Sequence, residues 1–278
     1  MRLVWQLVAV VAVAAVGGQG MAAVEGNAWL TLAIGLLTAV LSVLVYRWVV
    51  AWSEGRPVTE LAREGAGAAL GRGTLIGVAL FSAVMTNLFT SGYYDVHGRA
   101  SLTGAIGLIG FMAAAAVTEE VMYRGVLFRI AEERMGTWIA LVLTGLLFGL
   151  SHLLNPNATV WGALAIAVEA GSMLTGAYVA TRNLWVPIGL HFGWNYAEAG
   201  IFSTEVSGND TARGLLDSTT SGPELITGGE FGPEASVYSV MFGVLATLVF
   251  MWLARRRGHL APLRRRAARA QAATTLSR

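Results

Sequence analysis

Uncharged or nearly uncharged runs close to the ~20 residues needed to cross hydrocarbon recur along the whole chain. They fall at 3–24, 26–46, 73–94, 100–118, 135–151, 153–181, 183–197 and 235–254. Lipid offers no partner to a backbone N–H or C=O, so such runs fold as helices, and strands with open edges are not expected. With 55% hydrophobic and 13% charged residues, the composition excludes an ordinary soluble domain. The expected fold is all-α, a polytopic membrane bundle of about eight transmembrane helices. Residues 3–16, behind Arg2, also have signal-peptide character, and cleavage after them would leave seven spans. The apolar run continues well past a typical signal core, which favours a span.

All nineteen basic residues are Arg, and their placement sets an expected orientation. With both termini in the cytoplasm, seventeen Arg lie inside and only Arg99 and Arg213 outside, as the positive-inside rule requires. The chain is expected to be an integral, multi-pass protein of a bacterial inner membrane. The lipid bilayer is then its first partner, and no nucleic-acid partner is expected. The Arg-rich tail suits an anionic inner leaflet. No cysteine is present, which removes disulfides and thiolate metal sites.

The chain divides into four parts: N-terminal helices with a cytoplasmic loop (1–99), a membrane core (100–202), an external polar stretch (203–235), and a last helix with the Arg-rich tail (236–278). The external stretch is rich in Gly, Ser, Thr and acid and reads as a mobile loop. Asn209-Asp210-Thr211 within it fits a common glycosylation pattern. Asp95 and His97 read as solvated loop residues rather than metal ligands.

Charge inside the core is the exception that points to chemistry. The run 100–118 ends in Thr118-Glu119-Glu120-Val121-Met122-Tyr123-Arg124, and an ionised carboxylate at bilayer depth costs several kcal/mol unless paired or hydrated. At ~100° per residue Glu120 and Arg124 share one helix face and can pair, while Glu119 points about a quarter-turn away. Glu119 is thus left free to act as a general base toward water. A structural ion pair with a spare charge is the plainer alternative.

His152 follows the turn at Gly136 by sixteen residues, and Glu119 precedes it by seventeen. In an antiparallel pair these two side chains reach nearly equal depth. His191 and Asn195 stand at i and i+4, on one face, and both can donate hydrogen bonds. Glu169 is a further intramembrane acid that can line the same space. Taking Arg129 as the membrane surface, the four residues are expected to meet in the cytoplasmic half of the membrane.

Glu-Glu-x-x-x-Arg, Phe-x-x-x-His and His-x-x-x-Asn, in that order on successive apolar runs within about 100–201, resemble the type II CAAX prenyl endopeptidase and bacteriocin-processing (CPBP, Abi) family of intramembrane proteases. The resemblance implies a hydrolase acting on a membrane-associated peptide, CAAX-like or leader-like. It implies that Glu119, helped by His152, activates water, that His191 and Asn195 stabilise the oxyanion, and that Glu120 and Arg124 support the site. No cofactor is favoured. A zinc variant would use Glu119, His152 and His191 as ligands with Glu120 as base, although Asn195 suits an oxyanion better than a metal. The rival readings are a proton- or cation-coupled transporter, whose usual internal repeats are not seen here, and a non-catalytic immunity protein.

Overall fold

The computed structural model describes residues 1–210 and 213–263. Thr211 of the glycosylation pattern and the Arg-rich tail from Arg264 onward lie outside the described residues. Helices dominate: α1 (Arg2–Ala22), α2 (Ala28–Glu54), α3 (Ala66–Thr90), α4 (Leu102–Met135), α5 (Thr137–Ser151), α6 (Val160–Thr181), α7 (185–201) and α8 (Val237–Arg256). Seven helices among the described residues are long and apolar enough to cross a membrane. The eighth run expected from the sequence is α7, whose 17 residues fall short of a full span.

The helices alternate in direction, so all connections lie at two ends of the bundle. One end is rich in Arg and is tied by ion pairs. Glu54 accepts from Gln6, Arg56 and Arg129, Arg2 bonds Glu133, and Arg182 bonds both Glu132 and the carbonyl of His259. Buried Glu60 joins this network through Arg56 and the hydroxyl of Tyr46. The other end carries 91–101, 155–159 and 203–235.

Glycine sets the closest helix crossings, as expected where small residues let backbones approach in lipid. A methyl group added at Gly35 of α2 would stand 2.2 Å from the Gly110 carbonyl oxygen of α4. One added at Gly193 of α7 would stand 2.2 Å from the Thr74 carbonyl oxygen of α3. These two contacts lock α2 to α4 and α3 to α7, and so hold the helices that carry Glu119 and His191. Outward faces such as Leu37, Val40 and Leu44 of α2 are exposed apolar surface, suited to acyl chains.

Two expectations are corrected at the Arg-poor end. Strands do occur there: β1 (Tyr94–Arg99) pairs antiparallel with β2 (Leu216–Thr220), with a bulge between Val96 and Gly98. The ban on open edges holds only in hydrocarbon, and this ribbon lies between helix ends. His97 bonds Thr219 across it. The described residues 203–210 and 213–235 form a packed cap rather than a mobile loop. Val206, Ser207, Phe231, Glu234 and Ala235 are buried, and the backbone of Gly208 bonds both Asn157 and Phe231. Its apolar residues are few, but Val206, Phe231 and Ala235 are buried, so a polar composition does not prevent the stretch from packing.

Candidate active site

Glu119 and Glu120 close the regular part of α4, and Val121–Phe128 continues it as a π-helix. π-Helical turns widen the ladder and recur at functional sites. Arg124 sits within this turn, fully buried, and its Nη1 donates to Glu120 Oε1 at 2.6 Å. Its other donors reach the Ala170 and Gly171 carbonyls at 3.1 and 3.2 Å and the Thr175 hydroxyl at 3.3 Å. The guanidinium also lies 4.6 Å over the Phe148 ring. The carbonyls come from a second π-helix, Ala167–Gly171 of α6. The ion pair read from the i to i+4 spacing is therefore present, and it is anchored to a neighbouring helix.

His191 adds to this pair in a way the spacing did not suggest. Its Nδ1 bonds Glu120 Oε1 at 3.0 Å, while its Nε2 lies 3.9 Å from Glu119 Oε2. A carboxylate can only accept, so Nδ1 carries the proton. Nε2 is then the nitrogen left facing Glu119.

His152 ends α5 and its Nδ1 bonds the Phe148 carbonyl at 2.8 Å. A carbonyl likewise only accepts, which fixes the proton on Nδ1 and leaves Nε2 with a lone pair. The Phe148 ring packs 4.9 Å from His152 and 6.1 Å from His191, centroid to centroid, so one aromatic residue spaces both imidazoles. Phe148 was legible in the sequence only as the first letter of Phe-x-x-x-His.

A cavity of about 300 Å³ joins these parts and is lined by Glu119, His152, Asn195, Tyr123, Ser207 and Asn209, among others. A second space of about 10 Å³, room for one water, touches His152, His191, Asn195, Glu169 and Glu234. Glu119 Oε2 is buried without a hydrogen-bond partner, and the Asn195 side chain makes no hydrogen bond among the described residues. Both are thus uncommitted polar groups facing one space. Glu169 is fully buried with both carboxyl oxygens unbonded, and it borders the smaller space.

The cavity does not lie toward the Arg-rich end, contrary to the depth expected from the sequence. Counted at 1.5 Å per residue, Glu119 is about 25 Å from either end of α4, near its middle. Its open side meets Ser207 and Asn209 of the Arg-poor end. Toward the Arg-rich end it is backed by the buried Glu120–Arg124–His191 cluster. Past Arg129, α4 runs on regularly to Met135 and turns at Gly136.

A zinc site would need three donors converging on one point. Among the described residues no three His, Cys, Asp or Glu side chains are arranged to hold a metal ion. Glu119, His152 and His191 border neighbouring spaces, and each imidazole donates from Nδ1, to Glu120 or to Phe148, and keeps Nε2 free, but the three side chains do not converge on one point. No curated protein and no solved structure matches the chain. Over residues 101–197, about a third of the chain and the stretch that supplies Glu119, Glu120, Arg124, His152, His191 and Asn195, it matches the family model described as type II CAAX prenyl endopeptidase Rce1-like.

Proposed function

We propose that the protein is an intramembrane endopeptidase that hydrolyses a peptide bond of a membrane-associated peptide with water activated by Glu119. One observation carries this: Glu119 lines the same cavity as His152 and Asn195, and its Oε2, buried and unbonded, lies 3.9 Å from His191 Nε2. The family match over 101–197 supports a hydrolase of this general type.

In the proposed reaction, water held between Glu119 and the His152 Nε2 lone pair attacks the peptide carbonyl carbon as Glu119 takes its proton. The carbonyl π electrons move to oxygen, giving a tetrahedral oxyanion. Asn195 Nδ2, and His191 Nε2 when the ring is protonated on both nitrogens, donate to it, a task worth about 3–4 kcal/mol per donor in a water-poor site. Collapse breaks the C–N bond, and Glu119 returns its proton to the leaving amine. Glu120 and Arg124 touch no substrate and hold His191 in place. No step requires a metal.

The direct test compares the termini of membrane peptides from cells carrying the wild type or Glu119→Gln. Termini present only with the wild type are expected. Identical sets, with both proteins folded in the membrane, overturn the proposal.

A further inference from the structure

The side from which this cavity is reached follows from two features that the catalytic residues do not explain. First, the cavity borders another. Phe111 and Asn209 line both the space at Glu119 and a larger one of about 450 Å³. The larger space lies between the end of α1 and the starts of α2 and α4, lined by Ala22, Thr31, Thr103 and Gly107. All of these stand at the end of the bundle that carries 91–101 and 203–235. Second, Arg is segregated. Among the described residues, Arg2, Arg56, Arg63, Arg129, Arg134 and Arg182 and the turn after α8 gather at the opposite end, against Arg99 and Arg213 here.

From these we infer that the active-site cavity opens on the non-cytoplasmic side, and that the substrate is a peptide segment in the outer leaflet or exposed beyond it. The Arg-rich end marks the cytoplasm by the positive-inside rule. A segment approaching from that end meets the Glu120–Arg124–His191 cluster and, behind it, Tyr46, whose hydroxyl bonds both Glu60 and the Gly125 carbonyl. These groups are buried and mutually bonded. From the other end a chain meets two neighbouring cavities, of about 300 and 450 Å³, whose walls carry Ala22, Thr31, Thr103 and Gly107 together with the acids Glu25 and Asp210. A tail made and lipidated on the cytoplasmic face would have to cross the bilayer to use them. A translocated peptide, or the external end of a membrane protein, would not.

The identity of the substrate rests on the proposed hydrolysis, but the side of the opening does not, and the test separates them. The protein lacks cysteine, so single-cysteine variants report cleanly. Asn209→Cys and Thr103→Cys sit at the mouth, and Glu64→Cys is an exposed position at the Arg-rich end. Each is treated with a membrane-impermeant maleimide in spheroplasts and in inverted vesicles of a bacterial host. The mouth cysteines are expected to label at least tenfold more in spheroplasts, and Glu64→Cys the reverse. Mouth cysteines that label only in inverted vesicles, or from neither side, overturn the inference. Peptide termini lost in Glu119→Gln are then mapped on their parent proteins. Positions outside the cytoplasm are expected; positions in cytoplasmic segments overturn the substrate assignment. If no termini differ while the mouth labels from outside, the hydrolytic reading falls and the substrate assignment with it, whereas the side of the opening stands.

Discussion

His191 Nδ1 and Arg124 Nη1 converge on a single oxygen, Glu120 Oε1, at 3.0 and 2.6 Å. Glu120 is therefore a junction: it neutralises a buried guanidinium and orients an imidazole from another helix. Removing one partner of a buried pair strands the other charge, at a cost of about 3–5 kcal/mol. Glu120→Gln is expected to lower stability by that order and to abolish cleavage. The double change Glu120→Gln with Arg124→Met removes the stranded charge, and thermal unfolding in detergent should recover most of the loss. Cleavage should not return, because the bond that orients His191 now lacks its carboxylate. Recovery of activity in the double variant would show that the pair serves only packing.

At His152 the two ring nitrogens have separate tasks that one substitution can divide. Asn at this position can place its amide N–H near Phe148 O, where Nδ1 now bonds, but offers nothing at the place of Nε2. His152→Asn is expected to keep the fold and to lose turnover by up to about 10²–10⁴, the range ascribed to the general-base step at Glu119 that His152 assists by holding the water. Equal turnover in His152→Asn and wild type, measured on purified protein with a substrate found by terminus mapping, would remove His152 from the proton path.

Metal removal gives a separate expectation. Each imidazole keeps Nε2 free, but no three donors converge among the described residues. Cleavage in detergent should therefore change less than about twofold after dialysis against a strong zinc chelator, against the loss expected where zinc generates the nucleophile. A tenfold fall reversed by added zinc would assign Glu119 and the histidines to a metal instead.

The residues that could be read from the sequence are those set by local geometry. Glu120 and Arg124 pair because i and i+4 share a face, and the apolar runs fold as helices because lipid allows little else. What could not be read depends on contacts between distant segments. The bond from His191 to Glu120 needs the α3–α7 crossing at Gly193, a feature of three-dimensional packing with no local signature. The same holds for the cap at 203–235. Ser207 is one polar residue in a Gly- and Ser-rich stretch, and only its bond to Glu234 and its place on the cavity wall give it meaning. The run 183–197 was already short in the sequence, but that protein covers α7, so that it needs no lipid-length run, was not legible there.

Glu60, in the loop between α2 and α3, gives a pH prediction outside the membrane. Burial pushes its carboxyl up, but hydrogen bonds from Arg56 and from the Tyr46 hydroxyl outweigh this and hold it below the ordinary 4.5. A carboxyl depressed in the folded state binds its proton more readily when unfolded. Its contribution is thus fully present above the unfolded pKa of about 4.3 and is lost as pH falls through the lower folded value. Wild-type stability should accordingly decline on acidification below about pH 4.5. In Glu60→Gln the protein should be less stable at pH 7, because Arg56 and Tyr46 lose a charged acceptor, and the part of the acid decline owed to this residue should disappear. The two unfolding curves, recorded in detergent from pH 7 to pH 3, are expected to converge toward the acid end. Parallel curves across the whole range would mean that Glu60 keeps the same proton affinity folded and unfolded, and that its ion pairs at the Arg-rich end add nothing to stability.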